Sequence, residues 1–337
     1  MTLCAAWIRE VDGDEELVFA TDSTLTGGEK WNHGVKLFEL PRADCLICFA
    51  GATDRAYPLL LNLIAILKQN ERLKSPQFSL EELLGEIVDI FTELVDSIFQ
   101  EVIGKLTVPV GAEAKFLFGG WNWKKGKYQV WTVSFNPSIS SFVHSEELNA
   151  ESGKIAFIGD PEPETTDKAN NLFSNRLHEL KKYNGKLDME PFHVLLSLIR
   201  NREERYVDGP IQLAKVYKSG SIEFFGIMWP SSNGKHNFLS KNYEEYDRPN
   251  VRYIDPDNEN VLTEPLPVWN HLLLSLVKEE DKEFIIDCYQ DNGEIKLDLT
   301  DFKKRRLLSL ARSSAYHKFI DDSKYQNQEN REGEANE

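Results

Sequence analysis

Strand-like apolar runs and stretches of helical spacing alternate in blocks along this chain, and that order constrains its fold more than any other feature. A period near two marks a half-buried strand and a period near 3.6 marks an amphipathic helix. The first fifty residues read as strands, two helical stretches follow, strands return, a second helical pair follows, and two strands close the pattern before Trp229-Pro230. Strands joined by short turns pair antiparallel, and helices arriving in pairs cover a sheet face. The expected architecture is therefore α+β, with two antiparallel sheets stacked face to face and a helix pair outside each.

Within that order the segments are specific. Leu3 to Ile8 is apolar and rich in small residues, Arg9 to Glu16 with Asp12-Gly13-Asp14 is a hairpin turn, and Leu17 to Thr21 is the second strand. Val35 to Leu40 and Cys45 to Ala50 are the next two strands, ended by Gly51-Ala52. One helix is expected from Asp54 to Gln69. A second starts at a capping box, Ser79 with Glu82 three residues later, and carries an apolar stripe from Leu80 to Val102. Strands are expected at Lys115–Gly120, Tyr128–Phe135 and Ile155–Ile158, helices at Thr165–Tyr183 and Glu190–Glu203, and a last hairpin at Ile211–Tyr217 and Ile222–Met228. After residue 230 the texture changes. Residues 231–320 read as an extension with helices at 266–277 and 302–315 and a short strand at 295–299. Residues 321–337 are polar and charged and read as a disordered tail.

Composition removes several classes of function. The 337 residues hold 55 acidic and 39 basic side chains, a formal net charge of -16 with no basic stripe, so nucleic acid is not an expected partner. No stretch approaches the roughly twenty apolar residues of a membrane span. Residues 1–9 lack the basic and apolar regions of a secretory signal, so a cytoplasmic protein is expected. Cys45 and Cys48 sit three apart on one strand, so their thiols face opposite ways and cannot easily share a metal. With Cys4 and Cys288 they are expected to be buried and reduced. The seven histidines are scattered and form no ligand pair, so neither metal nor cofactor is expected. Trp121 to Gly126 reads as a hairpin tip.

Thr2 is the residue with distinctive chemistry. If Met1 is removed, Thr2 carries a hydroxyl beside a free α-amine, whose ordinary pKa of about 7.7–8.0 leaves much of it neutral near pH 7. A hydroxyl is a poor nucleophile until a base takes its proton, and such a threonine brings its own base. Taken alone, a threonine after an initiator methionine is unremarkable.

The segments Thr2 to Ile8, Phe19-Ala20-Thr21-Asp22-Ser23, Gly34-Val35-Lys36-Leu37 and Phe49-Ala50-Gly51-Ala52 together resemble the catalytic β-subunit of proteasome-type proteases. Phe118-Gly119-Gly120, Ala156 to Gly159 and Asp208-Gly209-Pro210-Ile211 are similar to later strands of the same family, and the likeness spans about 2–230. The bacterial branches, the HslV-type peptidase and the Anbu-type ancestral β-subunit, are the nearest. This resemblance implies an N-terminal-nucleophile hydrolase with an αββα four-layer sandwich. It implies that Thr2 is the nucleophile, Lys36 lowers the hydroxyl pKa, Asp22 orients the lysine, and the Gly51 backbone N–H forms the oxyanion hole. Phe49, Ala50 and Ala52 would line the substrate site. A peptide or unfolded-protein substrate, self-assembly into rings or stacks, and an ATP-dependent unfoldase as partner are implied in the same way.

The chain also departs from the family pattern. Asp160 stands where the family has a serine supporting the α-amine, and a carboxylate there favours the charged amine. The family's second aspartate and serine fall near Glu204 and Val207, so only the acid is kept in kind. Lys30 rivals Lys36 in the same loop. Each residue also has a plainer reading, with Asp22 in a turn, Lys36 on a solvated strand and Gly51 ending one. An inactive scaffold subunit and a small-molecule amidase on the same fold are the alternative functions.

Overall fold

The continuous apolar run from Leu3 to Ile8 forms a strand buried on both faces from Thr2 to Trp7. The computed structural model describes residues 2–310 except 12–13, 27–28, 76, 104–113, 149–153, 161–162, 183–184, 202–206, 245–247, 250, 259–260, 263–276, 291–295, 297–298, 301, 305 and 308–309. The chain divides into two units, one of Met1–Asn242 with Tyr253–Asn260 and one of Tyr243–Arg252 with Val261–Glu337.

In chain order the first unit begins with β1 (Thr2–Val11), β2 (Asp14–Thr21), β3 (Leu25–Thr26), β4 (Lys30–Trp31), β5 (Leu37–Glu39) and β6 (Cys45–Gly51). Three helices follow, α1 (Thr53–Gln69), α2 (Glu71–Lys74) and α3 (Leu80–Ile103). Then come β7 (Ala114–Asn122), β8 (Lys127–Asn136), β9 (Ser141–Glu146) and β10 (Ile155–Asp160), with α4 (Glu164–Glu179) and α5 (Glu190–Asn201) behind them. The unit continues through β11 (Gln212–Val216), β12 (Ile222–Trp229) and β13 (Lys235–Phe238).

These strands form an α+β fold with antiparallel sheets. One sheet runs β10-β1-β2-β11-β12-β13 and another runs β5-β6-β7-β8-β9. Strand parity sorts the side chains of β6 cleanly. Cys45, Ile47 and Phe49 join a cluster with α1 and α3, whereas Leu46, Cys48 and Ala50 join a second cluster with Cys4, Ala6, Phe19 and Ala214 of the other sheet. Cys45 and Cys48 therefore lie on opposite faces, and all four cysteines are free and buried. On the remaining face of the first sheet, Phe157 of β10 meets Phe173 of α4 edge-on at 6.2 Å.

Several differences from the sequence pattern have plain physical causes. β9 went unpredicted because it is an edge strand with one inward position, Phe142, and an exposed end. The first unit runs past residue 230 because β13 extends the sheet beside β12 and Tyr253–Ile254 adds to β12 in parallel. β5 starts at Leu37, two residues later than expected, and residues 34–36 lie outside the ladder.

The second unit contains a helix absent from the sequence reading, α6 (Glu279–Asp287). Ile285 packs there with Val277, Cys288, Leu299 and Leu307, and the Arg306 guanidinium lies 4.2 Å from the Phe284 ring centre. The helices expected at 266–277 and 302–315, the strand expected at 295–299 and the tail at 321–337 fall mainly or wholly outside the described residues.

The capping box before α3 forms as the sequence predicts. Ser79 N donates to Glu82 Oε2 at 2.6 Å, and Glu82 N donates to Ser79 Oγ at 3.2 Å. The Ser79 backbone N–H, helped by its hydroxyl and by Lys124, lowers the Glu82 carboxyl to about 2. A folded-state pKa below the unfolded value of 4.5 means stability present above about pH 4.5 and lost as pH falls through about 2. Glu82→Gln keeps the cap but not the charge. The Tm difference between wild type and this variant is expected to be constant above pH 5 and to shrink toward pH 2, as read by calorimetry; a pH-independent difference would contradict the assignment.

Candidate active site

The period of two along β1 decides where Thr2 points. Cys4 and Ala6 belong to the cluster between the two sheets, so Thr2, in phase with them, faces the same layer. The Thr2 side chain is buried there at 4% exposure, with Asp160 directly across the β1–β10 ladder. Directly opposed residues on an antiparallel pair share a face with Cβ atoms about 4.5–5.5 Å apart.

Asp22 follows the end of β2 and continues its pairing with a side chain. Its Oδ1 accepts the Leu3 N–H at 3.1 Å, and its Oδ2 accepts the Thr24 N–H at 3.1 Å and the Asp208 N–H at 3.4 Å. The Lys36 ammonium donates to both carboxylate oxygens at 3.0 Å and to Thr2 Oγ at 2.7 Å. Both charged side chains are sealed from water, at 1% and 0% exposure for Lys36 and Asp22. Burial raises the Asp22 carboxyl above its ordinary value, against the opposing pull of the Lys36 ammonium and the backbone N–H donors.

This geometry has a chemical consequence. A cation donating to a hydroxyl oxygen stabilises negative charge on that oxygen and leaves the hydroxyl proton for another acceptor. Thr2, Asp22 and Lys36 are therefore brought together, and Lys30 is not. Lys30 Nζ pairs instead with Asp208 Oδ2 at 2.5 Å, with both side chains partly exposed.

The other expected site residues are placed as follows. Gly51 ends β6 at φ 106°, a conformation that glycine alone adopts without strain. Its neighbourhood is tied to Lys36, because Leu37 pairs with Cys48 and Lys36 O accepts the Phe49 N–H at 3.3 Å. Phe49 is fully buried, its ring 5.4 Å from Tyr57 in the helix-facing cluster. Ala50 is buried between the sheets, and Ala52, at the start of α1, keeps exposed surface. A substrate-lining role for the Phe49 and Ala50 side chains does not fit this burial, because strand parity turns both into cores. Glu204 lies outside the described residues, and Val207 is fully buried.

Two participants were not anticipated as site residues. Asp208 presents its N–H to Asp22, and its carbonyl accepts the N–H groups of Ser23 and Thr24 at 3.2 and 3.1 Å. The turn is tight: Gly209 has φ 81°, and a Cβ there would stand 2.5 Å from Ser23 Oγ. Gln212 holds the backbone of the Lys36 segment with its side-chain amide. An Asp-Gly turn before a strand was the available signal for the first, whereas a glutamine at the start of an apolar strand carried none. Among the described residues no three His, Cys, Asp or Glu side chains converge as a metal would require. Among them, too, no helix is long and apolar enough to cross a membrane.

The buried pair predicts a specific coupling. Lys36→Met leaves the Asp22 carboxylate without its cation and is expected to cost about 3–5 kcal/mol in urea denaturation. Adding Asp22→Asn should restore part of that loss, so the double variant falls short of the sum of the singles. Strict additivity would show that the two groups do not depend on each other.

No protein-family model matches the chain, and no curated protein matches it. Solved structures similar to it include an Anbu Gly-1 mutant from Hyphomicrobium sp. strain MC1, at 15% identity and a TM-score of 0.43, covering 66% of this chain and 84% of that one. The helical assembly of the Anbu complex from Pseudomonas aeruginosa is similar at 15% identity and a TM-score of 0.45, with 64% and 81% covered. Anbu, the ancestral β-subunit, from Yersinia bercovieri is similar at 14% identity and a TM-score of 0.44, with 66% and 86% covered. These neighbours are of the proteasome-like Anbu type that the sequence resembles.

Proposed function

We propose that this chain is a proteasome-like threonine peptidase whose nucleophile is Thr2. The observation that carries the reading is the Lys36 ammonium at 2.7 Å from Thr2 Oγ and 3.0 Å from Asp22, all three buried together. The inter-sheet and helix-facing clusters, with α4 against β10, support the finer description of the first unit as an αββα four-layer sandwich.

Removal of Met1 would free the Thr2 α-amine beside its own hydroxyl. In the first step the amine takes the Oγ proton while Oγ bonds to the scissile carbonyl carbon. The Lys36 ammonium lowers the cost of charge on Oγ, and Asp22 holds that ammonium in place. The carbonyl oxygen becomes an oxyanion received by the Gly51 N–H, and the C–N bond breaks as the amine returns its proton to the leaving nitrogen. Water then cleaves the acyl ester, with the amine again carrying the proton, and regenerates Thr2. The substrate class is a peptide or an unfolded chain, and the setting is a cytoplasmic homo-oligomeric ring or stack served by an unfoldase.

Intact mass should lack Met1, and hydrolysis of short fluorogenic peptides should be lost in Thr2→Ala and retained in part in Thr2→Ser. Retained Met1, or undiminished hydrolysis by Thr2→Ala, would sink the reading and favour the inactive scaffold. Turnover of a small amide with no turnover of peptides would favour the amidase.

The Asp160 carboxylate opposite Thr2 favours the charged amine and so delays the base until higher pH. Asp160→Ser is expected to move the acid limb of the pH–rate profile to lower pH and to raise the rate near neutrality. An unmoved limb would place the amine out of that carboxylate's reach.

A further inference from the structure

Lys36 is aimed by something other than a strand. The apolar pattern predicts extended ladder from Val35, yet residues 34–36 lie outside any sheet and β5 starts only at Leu37. A buried backbone group without a partner costs about as much as a lost hydrogen bond, so these groups must be satisfied elsewhere. Ser23 O takes the Gly34 N–H, the Tyr57 hydroxyl donates to Val35 O and the Phe49 N–H to Lys36 O, and one side chain serves others. Gln212 Oε1 accepts the N–H of Lys36 at 2.9 Å and of Leu37 at 3.1 Å, and Gln212 Nε2 donates to Gly34 O at 2.6 Å.

We propose that Gln212 is the positioning residue for Lys36, fixing the backbone from which the ammonium reaches Thr2. The kinetic part of this proposal rests on the reading of Thr2 as nucleophile; the structural part does not. Gln212 opens β11 opposite Thr21, the residue immediately before Asp22. Its side chain is in phase with Ala214 and Val216 and so points between the sheets, where it is 1% exposed. One primary amide therefore ties the strand beside Asp22 to the loop that carries Lys36. Lysine has a long flexible stem, and a 2.7 Å contact at its tip survives only if both ends are held. Asp22 and Thr2 hold the tip, and Gln212 holds the root.

The side-chain chemistry is selective. An amide offers an acceptor and a donor in one plane, as a neighbouring strand's peptide would. Glutamate keeps the acceptor but loses the donor to Gly34. Methionine fills similar space with neither. A purely structural glutamine would change stability alone when replaced, whereas a positioning one changes the chemical step.

The test compares wild type, Gln212→Glu and Gln212→Met in acylation by a peptide β-lactone, separating the limiting rate from the binding constant. Gln212→Met is expected to lower the limiting rate about 10- to 100-fold with the binding constant within about twofold, and Gln212→Glu should fall between. A lowered Tm with an unchanged limiting rate would overturn the proposal. The NMR titration of Lys36, in protein carrying 13C-labelled lysine and assigned with Lys36→Met, reads the same question without activity. If wild type is not acylated, the nucleophile reading fails, and a Lys36 signal in Gln212→Met identical to wild type would then overturn the positioning role as well. If Gln212→Met does not fold, amide exchange in the wild-type protein decides. Lys36 and Leu37 N–H groups exchanging as slowly as the β6 ladder support the proposal, and exchange at loop rates overturns it.

Discussion

The ion pair between Asp22 and Lys36 is the interaction around which the site is organised. Two charges removed from water each carry a penalty of several kcal/mol, and a single mutual contact rarely offsets it. Here the carboxylate is surrounded. Leu3 of β1, Thr24 of the loop after β2 and Asp208 of the turn before β11 all give it backbone N–H groups. Three separate stretches of chain thus converge on one carboxylate, and Lys36 arrives from the segment just before β5 to complete it. The start of β1, and Thr2 with it, is fixed by the same convergence.

The arrangement bears on activity versus scaffold. A subunit needed only for its shape gains nothing from a buried ammonium directed at a hydroxyl, since apolar residues of the same volume are often at least as stable. A buried, satisfied polar network of this kind is expensive to assemble and specific once assembled. Thr2 Oγ accepts from Lys36, which leaves the hydroxyl proton for a further acceptor. That asymmetry favours the catalytic reading over the scaffold.

Much of this was legible in the residues, and the exceptions have a common cause. Parity along β6 and the capping box at Ser79 and Glu82 are local patterns, and they appear in the structure where the sequence puts them. Thr2, Asp22 and Lys36 were singled out together, and the fold brings them within hydrogen-bonding distance. Phe49 was expected at the substrate, but its odd place on β6 turns it into the helix-facing core. Asp208 and Gln212 were hidden because their roles depend on contacts far along the chain, 186 and 176 residues from their partners. β9 and α6 escaped because a strand with one buried position and a short acidic helix carry little periodic signal. Local chemistry is written in spacing; long-range support is not.

The most direct test of the central claim is the reaction of the purified protein with a peptide epoxyketone, with the adduct located by tandem mass spectrometry. Ring closure by this electrophile uses a hydroxyl and an α-amine on the same residue, so it reports both halves of the proposed nucleophile at once. A single adduct on an N-terminal Thr2 is expected, abolished in Lys36→Met protein that remains folded. An unmodified protein that retains Met1, or an adduct elsewhere in the chain, would contradict it.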